Sequence, residues 1–162
     1  KGFVSAAVTT KEAAIEAVLG TMPNTQRGKI GAMGQLIRPK VLVGNSIAVV
    51  QDMLDPSQRW FIDNERLNIL GGNEVVSSFV PLITAETGLQ NTPEADKKNI
   101  TVVTWMNPSV KVGGLFALKS VTAPHLSGVY KASTITYSGD LDGNDWTQRI
   151  SGVVAENYVV PR

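Results

Sequence analysis

ITVVTWMNPSVKVGGLFALKSVTAPHLSGVYKASTITYSGDLDGNDWTQRISGVV, from Ile100 to Val154, decides the fold. β-Branched and aromatic residues come in short runs here: Ile100 to Trp105, Val110 to Ser120, Val129 to Tyr137 and Thr147 to Val154. Such residues suit a pleated, half-buried surface, and the Asn, Asp, Gly, Pro and Ser between the runs are turn formers. Helical periodicity is almost absent. With Leu82 to Glu86 added upstream, the spacing predicts an antiparallel β-sandwich or small β-barrel.

Before about Phe79 the pattern changes. Thr9 precedes Glu12 by three, the spacing of a capping box, and Ile15, Val18, Leu19 and Met22 follow at helical intervals until Pro23. The polar, glycine-rich stretch from Asn24 to Gly34 predicts a loop, and Leu36-Ile37-Arg38 a short strand. Gly44-Asn45-Ser46 offers an N-cap for a second helix carrying Ile47, Val50, Met53 and Leu54 on one side, which Asp55-Pro56 ends. Arg59 to Ile62 and Arg66 to Leu70, joined by Asp63-Asn64-Glu65, predict a tight hairpin. The expected fold class is therefore α+β and β-dominated. A small helix-plus-hairpin subdomain, two helices on a small sheet, spans residues 1–80, and the antiparallel β module spans residues 81–162.

Composition excludes several classes of function. At 162 residues, with 43% hydrophobic and 18% charged residues, the chain lies in the ordinary globular range and buries a core without disulfide or metal staples. Lys and Arg number 15 against 14 Asp and Glu, mixed in sign along the chain, so no sequence-specific nucleic-acid binding is expected. The absence of cysteine removes disulfide scaffolds, thiolate zinc sites and thiol nucleophiles. Lys1-Gly2-Phe3-Val4 lacks an initiator Met, as a fragment or processed form would, and no signal pattern or long apolar run predicts membrane insertion.

The candidates for chemistry are few. Asp140, Asp142 and Asn144 stand at the first, third and fifth positions of a calcium loop, but the sixth is Asp145 where a sharp turn needs Gly. The twelfth is Ser151 where a bidentate Glu belongs, so a polar turn between strands is the better reading. His125, the single histidine, lies in a loop and no nucleophile-elbow pattern accompanies it. Glu12 and Glu16 are one helical turn apart on a solvent face. Gly113-Gly114 and Gly71-Gly72 lack the context of a phosphate loop and read as turn or bulge glycines. Trp60, Trp105 and Trp146 lie in or beside strands, where aromatics pack in a core or a subunit interface. No catalytic residue, metal ligand or cofactor site is expected.

The order of short motifs adds a further reading. It runs Thr87-Gly88-Leu89, Thr92-Pro93-Glu94, Ile100 to Val103, Met106-Asn107-Pro108, Val110 to Gly114, Gly128 to Lys131, Tyr137 to Asp140 and Gly143 to Trp146. This series resembles baseplate hub proteins of tailed phages, which join the tail tube to the central spike. The similarity covers Ile37 to Val153, taking in the helix after Val43-Gly44 and the hairpin at Trp60 to Asn64. It departs where relatives often carry Gly after the hairpin Asn, since this chain has Glu65 and the turn type is left open. It also departs in lacking the N-terminal region of a full hub protein.

The resemblance implies structural roles only. Gly88 and Pro93 belong to the motif, and Pro108 after Asn107 sets a turn. Gly113 and Gly114 permit a bend or a close strand approach. Gly139, Asp140, Gly143 and Asp145 form a hairpin connection that ends in the packed indole of Trp146. The implied function is assembly: a homotrimeric ring, tail tube protein and central spike protein as partners, a place in the tail baseplate of the virion, and assembly in the host cytoplasm. The competing readings are a tail-associated cell-wall hydrolase domain, and a receptor- or carbohydrate-binding module using the aromatics and the loops around residues 120 and 140.

Overall fold

The computed structural model describes residues 2–97 and 99–161. Strand dominates, with two α-helices among the described elements, so the fold is α+β and β-dominated. The chain divides into two compact units, one reaching Glu74 and taking in Pro161, the other spanning Val75–Val160.

The first unit opens with β1 (Phe3–Val8), a strand that no motif upstream of Thr9 announces. Helix α1 (Lys11–Leu19) follows, capped by Thr10, whose side chain accepts from the Ala13 amide at 3.1 Å. The capping box expected at Thr9 and Glu12 does not form: the cap falls one residue later, and Ala13, three residues beyond it, has no polar side chain to return the bond. Ala14, Ile15 and Val18 are buried beneath it.

The segment expected as a loop from Asn24 to Gly34 contains β2 (Gln26–Ile30). Its polar composition hides a strand because a side chain completes the ladder. Asn68 Oδ1 accepts from the Lys29 amide at 2.9 Å, across the place where the parallel pairing of β2 shifts register between Arg27 and Ile30. Gly28 makes room for it, since a Cβ there would stand 2.5 Å from that oxygen.

The short strand expected at Leu36 to Arg38 is absent, and β3 (Lys40–Asn45) forms just beyond it, antiparallel to β1. Asn45 then caps α2 (Ser46–Met53) by accepting from the Ile47 amide, and its buried side carries Val49, Val50 and Met53 while Ile47 remains exposed.

The hairpin of β4 (Arg59–Asp63) and β5 (Arg66–Leu70) is as expected. Asn64 and Glu65 both have positive φ, 47° and 61°, the two-residue geometry that matches strand twist and that Gly normally serves at the second position. β5 lies between β2 and β4 in a three-stranded sheet, and β1 with β3 makes a separate two-stranded ribbon. Val4, Val8, Ile15, Val18, Leu42 and Leu67 share one core, and Trp60 packs against it.

The second unit is one six-stranded sheet. Its strands are β6 (Leu82–Ile83), β7 (Glu94–Asp96), β8 (Asn99–Trp105), β9 (Leu115–Leu118), β10 (Gly128–Ser138) and β11 (Thr147–Val154), in the order β6-β9-β10-β11-β8-β7. The edges β6 and β7 do not join, so the sheet is open and the barrel form of the expectation is corrected. The pairings are antiparallel except β6 with β9, which is parallel.

Alternation puts Ile100, Val102, Ile150, Ala132, Tyr130, Phe116 and Leu118 on one buried face. Phe116 stacks on Tyr130 with ring centroids 5.7 Å apart, and Gly152 leaves space for it, since a Cβ there would meet Phe116 Cε1 at 2.9 Å. Val110 joins this core from a turn, so the long strand expected from Val110 to Ser120 is reduced to its last part.

Candidate functional site

The motif residues do not form a catalytic cluster. Most of them gather at one end of the six-stranded sheet, where β8 ends, β10 runs out to Ser138 and β11 begins. Thr147 pairs with Trp105 and Gln148 with Tyr137, so the Trp105 and Tyr137 rings leave the sheet end on opposite faces. The Met106 amide donates to the Trp146 carbonyl at 3.1 Å and ties the end of β8 to the loop.

Two glycines lie under indoles. A Cβ on Gly139 would be 2.8 Å from Trp146 Cε3, and one on Gly88 would be 2.8 Å from Trp105 Cδ1. Gly88 also has φ of 110°, a backbone conformation that side chains resist, and its carbonyl accepts from the Trp105 amide at 2.9 Å. Each ring thus has backbone on one side and solvent on the other: Trp105 is 53% exposed and Trp146 44%.

The loop between β10 and β11 closes on itself. Asp140 Oδ1 accepts from the Asp142 amide at 3.1 Å, and a Cβ on Gly143 would stand 2.9 Å from Asp140 Oδ2. Leu141 projects fully into solvent, and Asp145 is exposed. Among the described residues no three His, Asp or Glu side chains gather as a metal site.

The remaining motif residues serve elsewhere. Asn107 Oδ1 accepts from the Ser109 amide and its carbonyl from the Val110 amide, with Pro108 in the second position of that turn. Gly113, at φ of 73°, donates to the Ala132 carbonyl, and the Ala132 amide donates to Gly114, so the pair continues the β9 side of the sheet. Pro93 is buried beside the edge strand β7.

Of the residues weighed for chemistry, His125 is exposed in a 3-10 turn, Pro124–Leu126, with no described hydrogen bond to its ring. Glu16 pairs with Arg27 at 2.6 Å. The hydroxyl of Tyr130 donates to the Leu126 carbonyl at 2.7 Å, and burial pushes its pKa up.

Behind the sheet end lies a polar pair that the motifs do not include. Gln148 is wholly buried, its Nε2 donates to Thr104 Oγ1 at 3.1 Å, and Thr104 Oγ1 donates to the Trp105 carbonyl at 2.8 Å. Gln148 Oε1 is buried and accepts no hydrogen bond among the described residues. The sequence signal was its phase, since Gln148 alternates with Ile150 and Gly152 on the inward face.

What the sheet end offers is aromatic and aliphatic surface held on paired strands. The family model for Baseplate hub gp41 matches residues 31–145, most of the chain and a part of both units. No curated protein matches the chain. By the extent of the family match, the chain belongs to the baseplate hub gp41 family of phage structural proteins.

Proposed function

We propose that copies of this chain, three in number, form a closed ring about the tail axis that connects tail tube to central spike and leaves a channel for the genome. Family membership gives the phage baseplate role, and the single observation that supports ring assembly is the sheet end. There Trp105, Tyr137 and Trp146, each more than 40% exposed, are held by paired strands and by glycines beneath two of the rings. Aromatic residues concentrated on rigid structure are what protein interfaces use, because large apolar area is buried at small entropic cost. One heterologous interface repeated by rotation closes such a ring.

In this reading the mechanism is burial and shape, with no bond made or broken, and the protein works in the virion baseplate after assembly in the host cytoplasm. Native mass spectrometry of the chain tests it. A trimer supports the ring, and a strict monomer at high concentration overturns it. Release of soluble fragments from purified peptidoglycan would overturn the non-enzymatic part of the reading.

A further inference from the structure

The edges of the three sheets are protected unequally. β2 carries Arg27 and Lys29, β4 carries Arg59 and Asp63, β7 carries Glu94 and Asp96, and β6 is two residues long. Charge and brevity are the usual devices that keep a free strand edge from pairing with another chain. β3 has Lys40 at one end, ion-paired to Asp52, and is distorted at Gly44, whose φ is 147°. β1, with the sequence FVSAAV, has none of these devices: six residues without charge, proline or glycine.

The free groups of β1 can be identified. The Ser46 amide donates to the Gly2 carbonyl, which fixes the phase of the antiparallel ladder, so Val4, Ala6 and Val8 exchange bonds with β3. The backbone N–H and C=O groups of Phe3, Ser5 and Ala7 therefore point away from β3, and β1 pairs with no other described strand. The side chains of the same three residues are exposed, and with Val41 and Val43 they make an apolar outer face: Phe3 is 65%, Val41 70% and Val43 65% exposed.

We infer that β1 receives an added β-strand from another protein of the tail: an extended, uncharged segment of about six residues, apolar at alternate positions. This rests on the baseplate reading above. The unpaired backbone groups form a template for a strand, whose ladder would replace their hydrogen bonds to water. The uncharged edge and the apolar outer face set the composition of that strand. The chain's own strands are poor occupants, being charged, short or distorted at their edges. β1 could pair with β1 of a second copy only about a two-fold axis, which stops at two chains and builds no ring.

The test is amide exchange in the β1 segment, read by mass spectrometry for the isolated chain and for purified tails that contain it. The isolated chain should exchange Phe3, Ser5 and Ala7 rapidly, and assembly should slow them by on the order of a hundredfold. Unchanged exchange in tails that contain the chain overturns the inference and leaves the baseplate reading standing. Absence of the chain from tails overturns the baseplate reading itself. Ala7→Lys places a charge on the free edge. It should leave the isolated chain folded and block its incorporation into tails, with normal incorporation of the variant counting against the proposal. A concentration-dependent dimer of the isolated chain that Ala7→Lys abolishes would identify a second copy as the occupant and overturn the assignment to another protein.

Discussion

Gln148 Nε2 donates to Thr104 Oγ1 at 3.1 Å, a side-chain bond between residues 44 apart, buried in the interior of the six-stranded sheet. It satisfies one group of the glutamine and leaves Oε1 without a partner among the described residues. Removing Thr104 Oγ1 strands Nε2 as well, so Thr104→Val should cost about 1–3 kcal/mol in urea unfolding. The double change Thr104→Val with Gln148→Leu removes both partners. It should recover that loss or exceed the natural chain in stability, and a double variant weaker than Thr104→Val would refute this account.

Glu65 occupies a turn position with φ of 61° that its side chain resists. Glu65→Gly should raise stability, by about 0.5–1 kcal/mol after the added flexibility of the unfolded chain is deducted. A lower thermal midpoint for the variant would show that the turn is not strained.

Gly139→Ala and Gly88→Ala should both dislodge an indole, and Gly88→Ala should be the costlier because a positive φ adds to the clash with Trp105. A loss of about 1–3 kcal/mol is expected for Gly88→Ala. Near-ultraviolet circular dichroism should change for both, with Trp146→Phe as the reference that isolates the Gly139 effect.

Phe116 is wholly buried between Gly152 and Tyr130. Phe116→Ala leaves a cavity that β-sheet backbone cannot fill, and should cost about 3–5 kcal/mol. A loss below about 1 kcal/mol would mean that the sheet collapses around the gap.

The hydrogen bond from Lys11 at 2.6 Å, and then that from the Gly34 amide, holds the Asp55 carboxyl below its usual value of 3.8. A depressed carboxylate contributes stability above its unfolded pKa and loses it as pH falls through the folded pKa. The chain should therefore lose stability on acidification below about pH 4, and Asp55→Asn should flatten that part of the profile. Equal slopes for the two proteins would remove Asp55 from the acid response.

Legibility followed how local each cause was. The hairpin at Asn64 and Glu65, the cap at Asn45 and the turn at Asn107-Pro108 rest on neighbouring residues, and the sequence displays them. β2 was hidden because its ladder depends on Asn68, 39 residues beyond Lys29. The open sheet was hidden because closure is decided by whether β6 meets β7, which no run of residues encodes. At the sheet end, the glycines were visible as motif positions, but their task under Trp105 and Trp146 appears only when strands distant in sequence are side by side. Gln148 was visible only by its phase among apolar neighbours.

The strand order also sets a schedule for synthesis. Thr147 lies 42 residues after Trp105, its register partner, so β8 leaves the ribosome long before the strand that holds it. The first unit has all its strands by Leu70, whereas the second is completed only by β11, its last strand. A nascent chain that has emerged only as far as Ser138 should therefore carry all the strands of the first unit and a β8 paired on one side alone, with the short β7, which makes this the interval in which the chain most needs a chaperone.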